Sequence, residues 1–382
     1  MTLLAHRPCE IPPTRKNSNL SQIVMLQFVA EFPNLSARKD SVNSKEVNSM
    51  RPNTARMSAL LAIAVLSAGL GLTPTALAQE KSKTHIKVAI FSVNGDAPTI
   101  HAMIEAASAD AKSRGWDVET FDGHGDMVAV NNQANTYVAR GFDALINVAS
   151  DNGQLGGVIA KAKKAGIPFV STFSGLAPGI TVDIGDNHVV DGAIAAAELA
   201  ARIDGQGSVV KLNWNVLPAL QERDRGFHAV MAGYPKIVVK ELEVKVPGQV
   251  EDAYNKVTNL LQGDTNHEIR AFWGGFDYIS AAAARAVQKA KRGDIFVVSM
   301  DGDEGGLDMI REGTPLVLTV GYDVAGMGHA AVQAVADAVD GKHLPARQIY
   351  KKPCLFMKST LPPAGGTADY KTCGLFSADM SQ

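Results

Sequence analysis

The chain has 382 residues, 37 Lys/Arg against 39 Asp/Glu, and three cysteines. Eight of the basic and four of the acidic residues precede Gln79, so the remainder carries 29 against 35, a net charge of −6. An acidic chain without a basic stripe argues against nucleic acid and anionic membranes as partners, and its length suits two domains of ordinary size.

Residues 1–49 show no periodic apolar pattern and much Asn, Ser and Pro, which reads as a disordered leader or an over-long start, with Met50 the more natural initiator. Within 50–78, Arg51 and Arg56 form a positive n-region and Ala59 to Leu72 a short apolar run. Pro74 breaks that run, and Ala76-Leu77-Ala78 offers small residues for cleavage. That order predicts a signal peptide removed after Ala78. The run is short for a bilayer and gives way to polar Gln79-Glu80-Lys81-Ser82-Lys83, and no cysteine at the cleavage point offers a lipid anchor. The expected destination is the periplasm.

From Ile86 onward, short β-rich runs alternate with helical segments. Strands are expected at 86–91, 118–121, 144–148, 168–172, 209–212, 237–242, 269–273, 295–299 and 316–320, with helices such as 100–114, 155–165, 193–203, 279–290 and 325–339 between them. Five junctions place cations before a glycine: Lys112-Ser113-Arg114-Gly115, Ala139-Arg140-Gly141, Lys163-Lys164-Ala165-Gly166, Lys291-Arg292-Gly293 and Arg311-Glu312-Gly313. Cations suit the negative end of a helix, and glycine takes the left-handed cap that turns the chain into the next strand. The repeat predicts an α/β fold of two Rossmann-like lobes with parallel sheets, joined by a multi-strand hinge with a crossing near Gly185-Asp186-Asn187.

In such sheets ligands bind beyond the carboxyl ends of the strands. There the chain places Asn94 and Asp96, Phe173, Trp214, Arg223 on a helix opening near Gln221, Trp273 with Phe276 and Asp277, Asp301, and Tyr322. Charged and amide groups fix hydroxyls by hydrogen bonds, and aromatic rings stack on the apolar faces of a sugar. These ten residues are the candidate ligand-binding set. No metal, cofactor or catalytic group is expected. The Gly302-Asp303-Glu304-Gly305-Gly306 loop would repel a pyrophosphate, a nucleophile elbow is missing, and His124-Gly125-Asp126 reads as a loop. Cys9 lies in the leader, which leaves Cys354 and Cys373 to staple the tail as a disulfide in an oxidising compartment, worth ~3 kcal/mol by loop closure.

The opening Lys87-Val88-Ala89-Ile90-Phe91, the Ala165-Gly166-Ile167-Pro168 helix end, Gly185-Asp186-Asn187, Arg223-Asp224-Arg225-Gly226-Phe227, and Val297-Val298-Ser299-Met300-Asp301-Gly302 occur in an order that resembles the type I periplasmic sugar-binding proteins, the ribose-binding group. The resemblance runs from His85 to about Leu355. It implies a sugar or polyol ligand captured by closure of two lobes and delivered to the membrane permease of an ABC transporter, by a monomeric protein that is not an enzyme. It implies that Arg223 and Asp301 grip hydroxyls, with Asn94, Asp96 and Phe173 facing them, and that the segments near Asp186, Tyr322 and Lys352 are hinges. The lobes are then 85–185 plus 323–348 and 186–322 plus 349–357, with 358–382 as a C-terminal tail. Truncating Arg223 is expected to weaken binding by ~1.5–3 kcal/mol with little loss of fold.

The chain departs from that group at three places. It has Asn94-Gly95-Asp96-Ala97-Pro98 where the ribose binders carry Asn-Asn-Pro-Phe-Phe, Phe173-Ser174 where they carry Asp-Arg, and Phe276 where they carry Asn before the helix aspartate. The ribose contact set is not preserved. A non-sugar ligand (an amino acid, nucleoside or signalling molecule) and a chemoreceptor partner stay open, while a repressor with the same lobes would need a DNA-reading helix pair in place of the export signal.

Overall fold

The computed structural model describes residues 85–364, 368–370 and 373; the leader, export signal and cleavage site expected from the sequence lie outside them. Among the described residues no helix is long and apolar enough to cross a membrane. The first lobe opens with β1 (Lys87–Ser92), α1 (Pro98–Ser113), β2 (Asp117–Asp122), α2 (Met127–Ala139), β3 (Ala144–Val148), α3 (Gly156–Lys164), β4 (Phe169–Thr172) and β5 (Val182–Gly185). The chain then enters the second lobe: α4 (His188–Arg202), β6 (Gln206–Asn213), α5 (Pro218–Met231), β7 (Lys236–Glu243), α6 (Gln249–Gly263), β8 (Ile269–Gly274), α7 (Asp277–Lys289), β9 (Phe296–Asp301), α8 (Glu304–Arg311) and β10 (Leu316–Gly321). Helix α9 (Val324–Val339) returns to pack on α1 and β4 of the first lobe, and β11 (Gln348–Tyr350) and β12 (Cys354–Met357) follow.

Each lobe is built on a six-stranded sheet, in the orders β2-β1-β3-β4-β5-β11 and β7-β6-β8-β9-β10-β12. All neighbours run parallel except β12, which lies antiparallel to β10. The central strands are covered on both faces: β3 is buried at every residue, and so is β4. That is why they read as continuous apolar runs with no alternation. The edge strands β2, half-buried, and β7, largely exposed, carry charges such as Glu119, Lys240 and Glu241, which discourages pairing with another chain.

Helix starts explain themselves locally. Asp126, Asn187, Asp303 and Asp323 each accept a backbone N–H of the following first turn through the side chain. Of the five expected stops, Gly115, Gly141, Gly166 and Gly313 take the left-handed backbone. At the remaining stop Lys291 takes it instead (φ 56°), because Arg292 turns inward to hold Asp264 at 2.9 Å and Asp294 at 2.8 Å.

The chain passes between the sheets after β5, after β10 and between β11 and β12. Ile349 and Tyr350, expected with the second lobe, instead pair with Ile184 and Gly185 of β5. Four residues later, Cys354 pairs with Gly321 of the other sheet. Cys354 is joined to Cys373 with Cα atoms 5.6 Å apart, and Phe356, Leu307 and Tyr370 pack around that staple.

Candidate functional site

A cleft of about 470 Å³, its open mouth included, lies where the carboxyl ends of the two sheets face each other. From the first lobe it is lined by Asn94, Ala97, Thr99 and Ile100 between β1 and the first turn of α1, by Ala149 after β3, and by Phe173 after β4. From the second come Trp214 after β6, Leu217 just before α5 and Ala219, Leu220 and Arg223 within it, Phe276 and Tyr278 around the start of α7, and Asp301 closing β9. Three of these hold left-handed backbone without being glycine: Ala149 and Phe173 (φ 55° each) and Asp301 (φ 132°). Each such residue costs ~1–3 kcal/mol, a cost that persists only where the surrounding structure fixes it. All three follow or end a buried strand.

Arg223 is the charged centre of the site and is 2% exposed. Its Nη1 lies 2.9 Å from Asp301 Oδ1 and donates to the Gly275 carbonyl at 2.6 Å, and its guanidinium lies 5.1 Å from the centre of the Tyr322 ring. Burial opposes its charge, while Tyr322, Asp301 and Asp191 favour it, and the balance raises its pKa. Burial also raises the Asp301 carboxyl, against the pull of Arg223.

Helix α5 reaches this position through a close crossing with α4. A Cβ on Gly226 would lie 2.0 Å from the Val189 carbonyl oxygen, and one on Gly192 would lie 2.0 Å from the Arg223 carbonyl oxygen. Two glycines facing each other's backbone let the helices touch, and this carries the Arg223 side chain to the strand ends.

Of the ten residues expected from the sequence, the cleft gathers Asn94, Phe173, Trp214, Arg223, Phe276 and Asp301. The other four lie outside its lining. Asp96 is exposed and faces His124, with Oδ2 3.2 Å from Nδ1. Trp273 is fully buried in the core, its ring 4.9 Å from that of Phe227. Asp277 is buried and accepts from the Thr319 hydroxyl at 2.7 Å and the Asp303 N–H at 2.8 Å, so it ties two loops together. Tyr322 backs Arg223 and meets the Phe173 ring edge-on at 5.7 Å.

The sequence reading missed Leu217 and Leu220 because α5 starts at Pro218, not near Gln221. Proline at the first helical position was the available signal, and Leu220 then lies one turn from Arg223 on the same face. Tyr278, two residues beyond Phe276, was also missed.

Behind the cleft, at the crossing from β5 to α4, lie Asp186, His188 and Asp191, all nearly inaccessible. Their side-chain polar atoms have no hydrogen-bond partner among the described residues. His188 Nδ1 is 3.5 Å from Asp191 Oδ2. Burial keeps the imidazole neutral, with its pKa well below the usual value. Burial, with the charge of Asp191, raises Asp186; burial and the charge of Glu222 raise Asp191 to about 8, opposed by Arg223. A carboxyl raised on folding holds a proton that the unfolded chain has released, so its contribution to stability falls as pH climbs from about 4 towards 8. Asp191→Asn is therefore expected to leave the melting temperature nearly unchanged at pH 4 and to raise it by roughly 5 °C or more at pH 8. Thermal unfolding at both pH values checks this; an equal shift at the two would remove Asp191 as the titrating group.

A family profile described as a periplasmic binding protein domain matches residues 77–343. A xylitol-binding protein of Mycolicibacterium smegmatis is 25% identical over 305 residues, covering 79% of this chain and 86% of that protein. A D-apiose import binding protein of Paraburkholderia graminis is 28% identical over 230 residues, 58% of this chain and 72% of the relative. Among solved structures, a solute-binding protein of Agrobacterium vitis with bound allitol superposes with a TM-score of 0.69 at 24% identity, covering 73% of this chain and 97% of the other. The fold, the strand-end cleft and the span of the profile agree: the chain belongs to the periplasmic binding protein family, in its type I, ribose-binding-protein-like class.

Proposed function

We propose that this protein captures a sugar or polyol in the periplasm by closing its two lobes around it, and hands it to the permease of an ABC importer without chemical change. The observation that carries the reading is the two-sided cleft. Arg223 and Asp301 from one lobe face Asn94 and Phe173 from the other, so a bound solute touches both lobes only when they are together. A ligand with that differential contact shifts the population to the closed form. The crossings near Asp186, Tyr322 and Lys352 serve as the hinge. The relatives named for xylitol and D-apiose, and the neighbour holding allitol, support a hydroxylated ligand. The export signal read at 50–78 supports the compartment, and the permease, as the partner of a monomer, follows from the family.

The test is a thermal-shift screen of the purified protein against sugars, polyols, cyclitols, amino acids and nucleosides, since any ligand of the folded form raises the melting temperature by mass action. A saturable shift of several degrees with a carbohydrate or polyol is the expected result. Shifts confined to amino acids or nucleosides would overturn the sugar reading and leave the fold assignment intact.

A further inference from the structure

Three buried ionisable groups stand where the lobes are joined and take no part in the cleft lining. Asp186 lies in the first crossing, between β5 and α4, and His188 and Asp191 lie on the first turn of α4. Both lobes and all three crossings enclose them. Phe173 of the first lobe packs its ring edge-on against His188 at 4.6 Å, and Tyr322 of the second crossing meets the same imidazole at 6.0 Å. In the third crossing the Lys351 N–H donates to the Gly185 carbonyl at 2.7 Å, one residue before Asp186. From the second lobe, the charge of Arg223 on α5 acts on all three groups. Both carboxylate oxygens of Asp186 and of Asp191, and both nitrogens of His188, are buried without a hydrogen-bond partner among the described residues.

A carboxylate that has lost its water and gained no donor is costly to keep ionised, so the enclosure favours the neutral acid. At Asp186 the charges of Asp191 and of Asp323, beyond β10, add to that effect, while Arg223 and Lys351 oppose it; the carboxyl is pushed up to about 9. Tyr370 of the tail faces the same carboxyl, and Glu222 of α5 sets a further negative charge beside Asp191. Burial acts on His188 in the opposite sense and keeps its ring neutral. Resting on the proposed function above, we infer that Asp186 is a proton-binding site coupled to capture: the closing lobes take up a proton there, so solute and proton each strengthen the binding of the other.

Opening turns on the crossings and draws Phe173 away from His188, which returns water to the group. Hydrated, Asp186 is ionised above about pH 4; enclosed, it holds its proton to about 9. Between those limits closure takes up a proton, and affinity falls as pH rises, by at most about tenfold per pH unit. His188 works against this below its ordinary value of about 6.5, because closure expels the proton it carries when hydrated. The two effects cancel on the acid side, which confines net uptake to the range from about 6.5 to about 9.

Titration calorimetry of the purified protein with xylitol and with D-apiose, in buffers of unlike ionisation heat, counts the protons. The expected result is uptake of about half a proton or more per bound solute at pH 7.5, and affinity roughly tenfold or more weaker at pH 8.5 than at pH 6.5. Asp186→Asn is expected to abolish the uptake and leave the His188 effect alone, so that affinity rises from pH 5 to pH 6.5 and then levels. His188→Gln is expected to extend the wild-type fall down to pH 5. Loss of packing does not produce such opposed profiles, and the wild-type count stands as the test should a variant fold poorly. Proton-neutral binding at pH 7.5, or uptake that persists in Asp186→Asn, overturns the inference and leaves sugar capture in place. If neither solute binds, small-angle scattering of the ligand-free protein decides. A radius of gyration larger at pH 8.5 than at pH 6.5, and constant in Asp186→Asn, upholds the inference for any ligand. A radius that ignores pH overturns it, while the thermal-shift screen judges the carbohydrate reading separately.

Discussion

Arg223→Ala is expected to lose ligand binding and also to lower the stability of the unliganded protein by about 3–5 kcal/mol, the range for breaking a buried ion pair from one side. The sequence reading foresaw the first effect and put the second near zero. The difference lies in burial: Arg223 is 2% exposed and Asp301 is 6% exposed. Removing the guanidinium leaves the Asp301 carboxylate without its counter-charge, the Gly275 carbonyl without its donor, and Tyr322 without the group stacked on it. Burial already raises the Asp301 carboxyl, and removing Arg223 takes away the strongest influence that opposes that rise. The deficit therefore grows as pH rises above the ordinary carboxylate range and shrinks towards pH 4, where the unfolded chain also binds the proton. Urea unfolding at pH 4 and pH 7.5 measures it, and Arg223→Ala with Asp301→Asn should recover part of the loss at the higher pH. A single variant of wild-type stability that merely fails to bind would show the pair to be independent of the fold.

Gly226→Ala is expected to cost about 3 kcal/mol or more and to weaken binding at least tenfold, although residue 226 touches no part of the cleft. The added methyl would meet the Val189 carbonyl oxygen at 2.0 Å and the Ala193 nitrogen at 2.8 Å, both backbone atoms of α4. Backbone cannot step aside as a side chain can, so the helices must separate. Arg223 lies one turn before Gly226, and its own carbonyl is at the crossing, so separation carries the guanidinium away from Asp301. Gly192→Ala presses on the same contact from the other helix. The double variant should therefore be little worse than either single one, the non-additive result expected of residues that share one contact. Gly156→Ala in α3 is the control. A Cβ there meets nothing within 4 Å, and the change should be neutral or stabilise by ~0.5 kcal/mol. Chemical denaturation and calorimetry on the three single variants and the double variant decide the matter.

Most of the sheet architecture was legible because it rests on local signals: apolar runs for strands covered on both faces, and cations before a glycine at the helix ends. What escaped was set by pairing across the fold. β11 is three residues long and becomes a strand only because β5 offers it an edge. The site was legible where the strand-end rule applied alone, as at Asn94, Phe173 and Asp301. It misled at Trp273, because β8 is covered on both faces up to its end and the ring turns into the core beside Phe227. Asp277 was misread for a related reason. An aspartate opening a helix has a structural role open to it, and here its carboxylate fastens the loop after β9 through the Asp303 N–H. Leu217 and Leu220 were the least visible part of the lining, since they look like ordinary core residues until the helix start is placed at Pro218.

Both sheets receive their last strand from one short stretch, residues 348–357, where β11 completes one lobe and β12 the other. A chain still emerging from the ribosome therefore carries two unfinished sheets, each with an open edge, until residues 348–357 have been made.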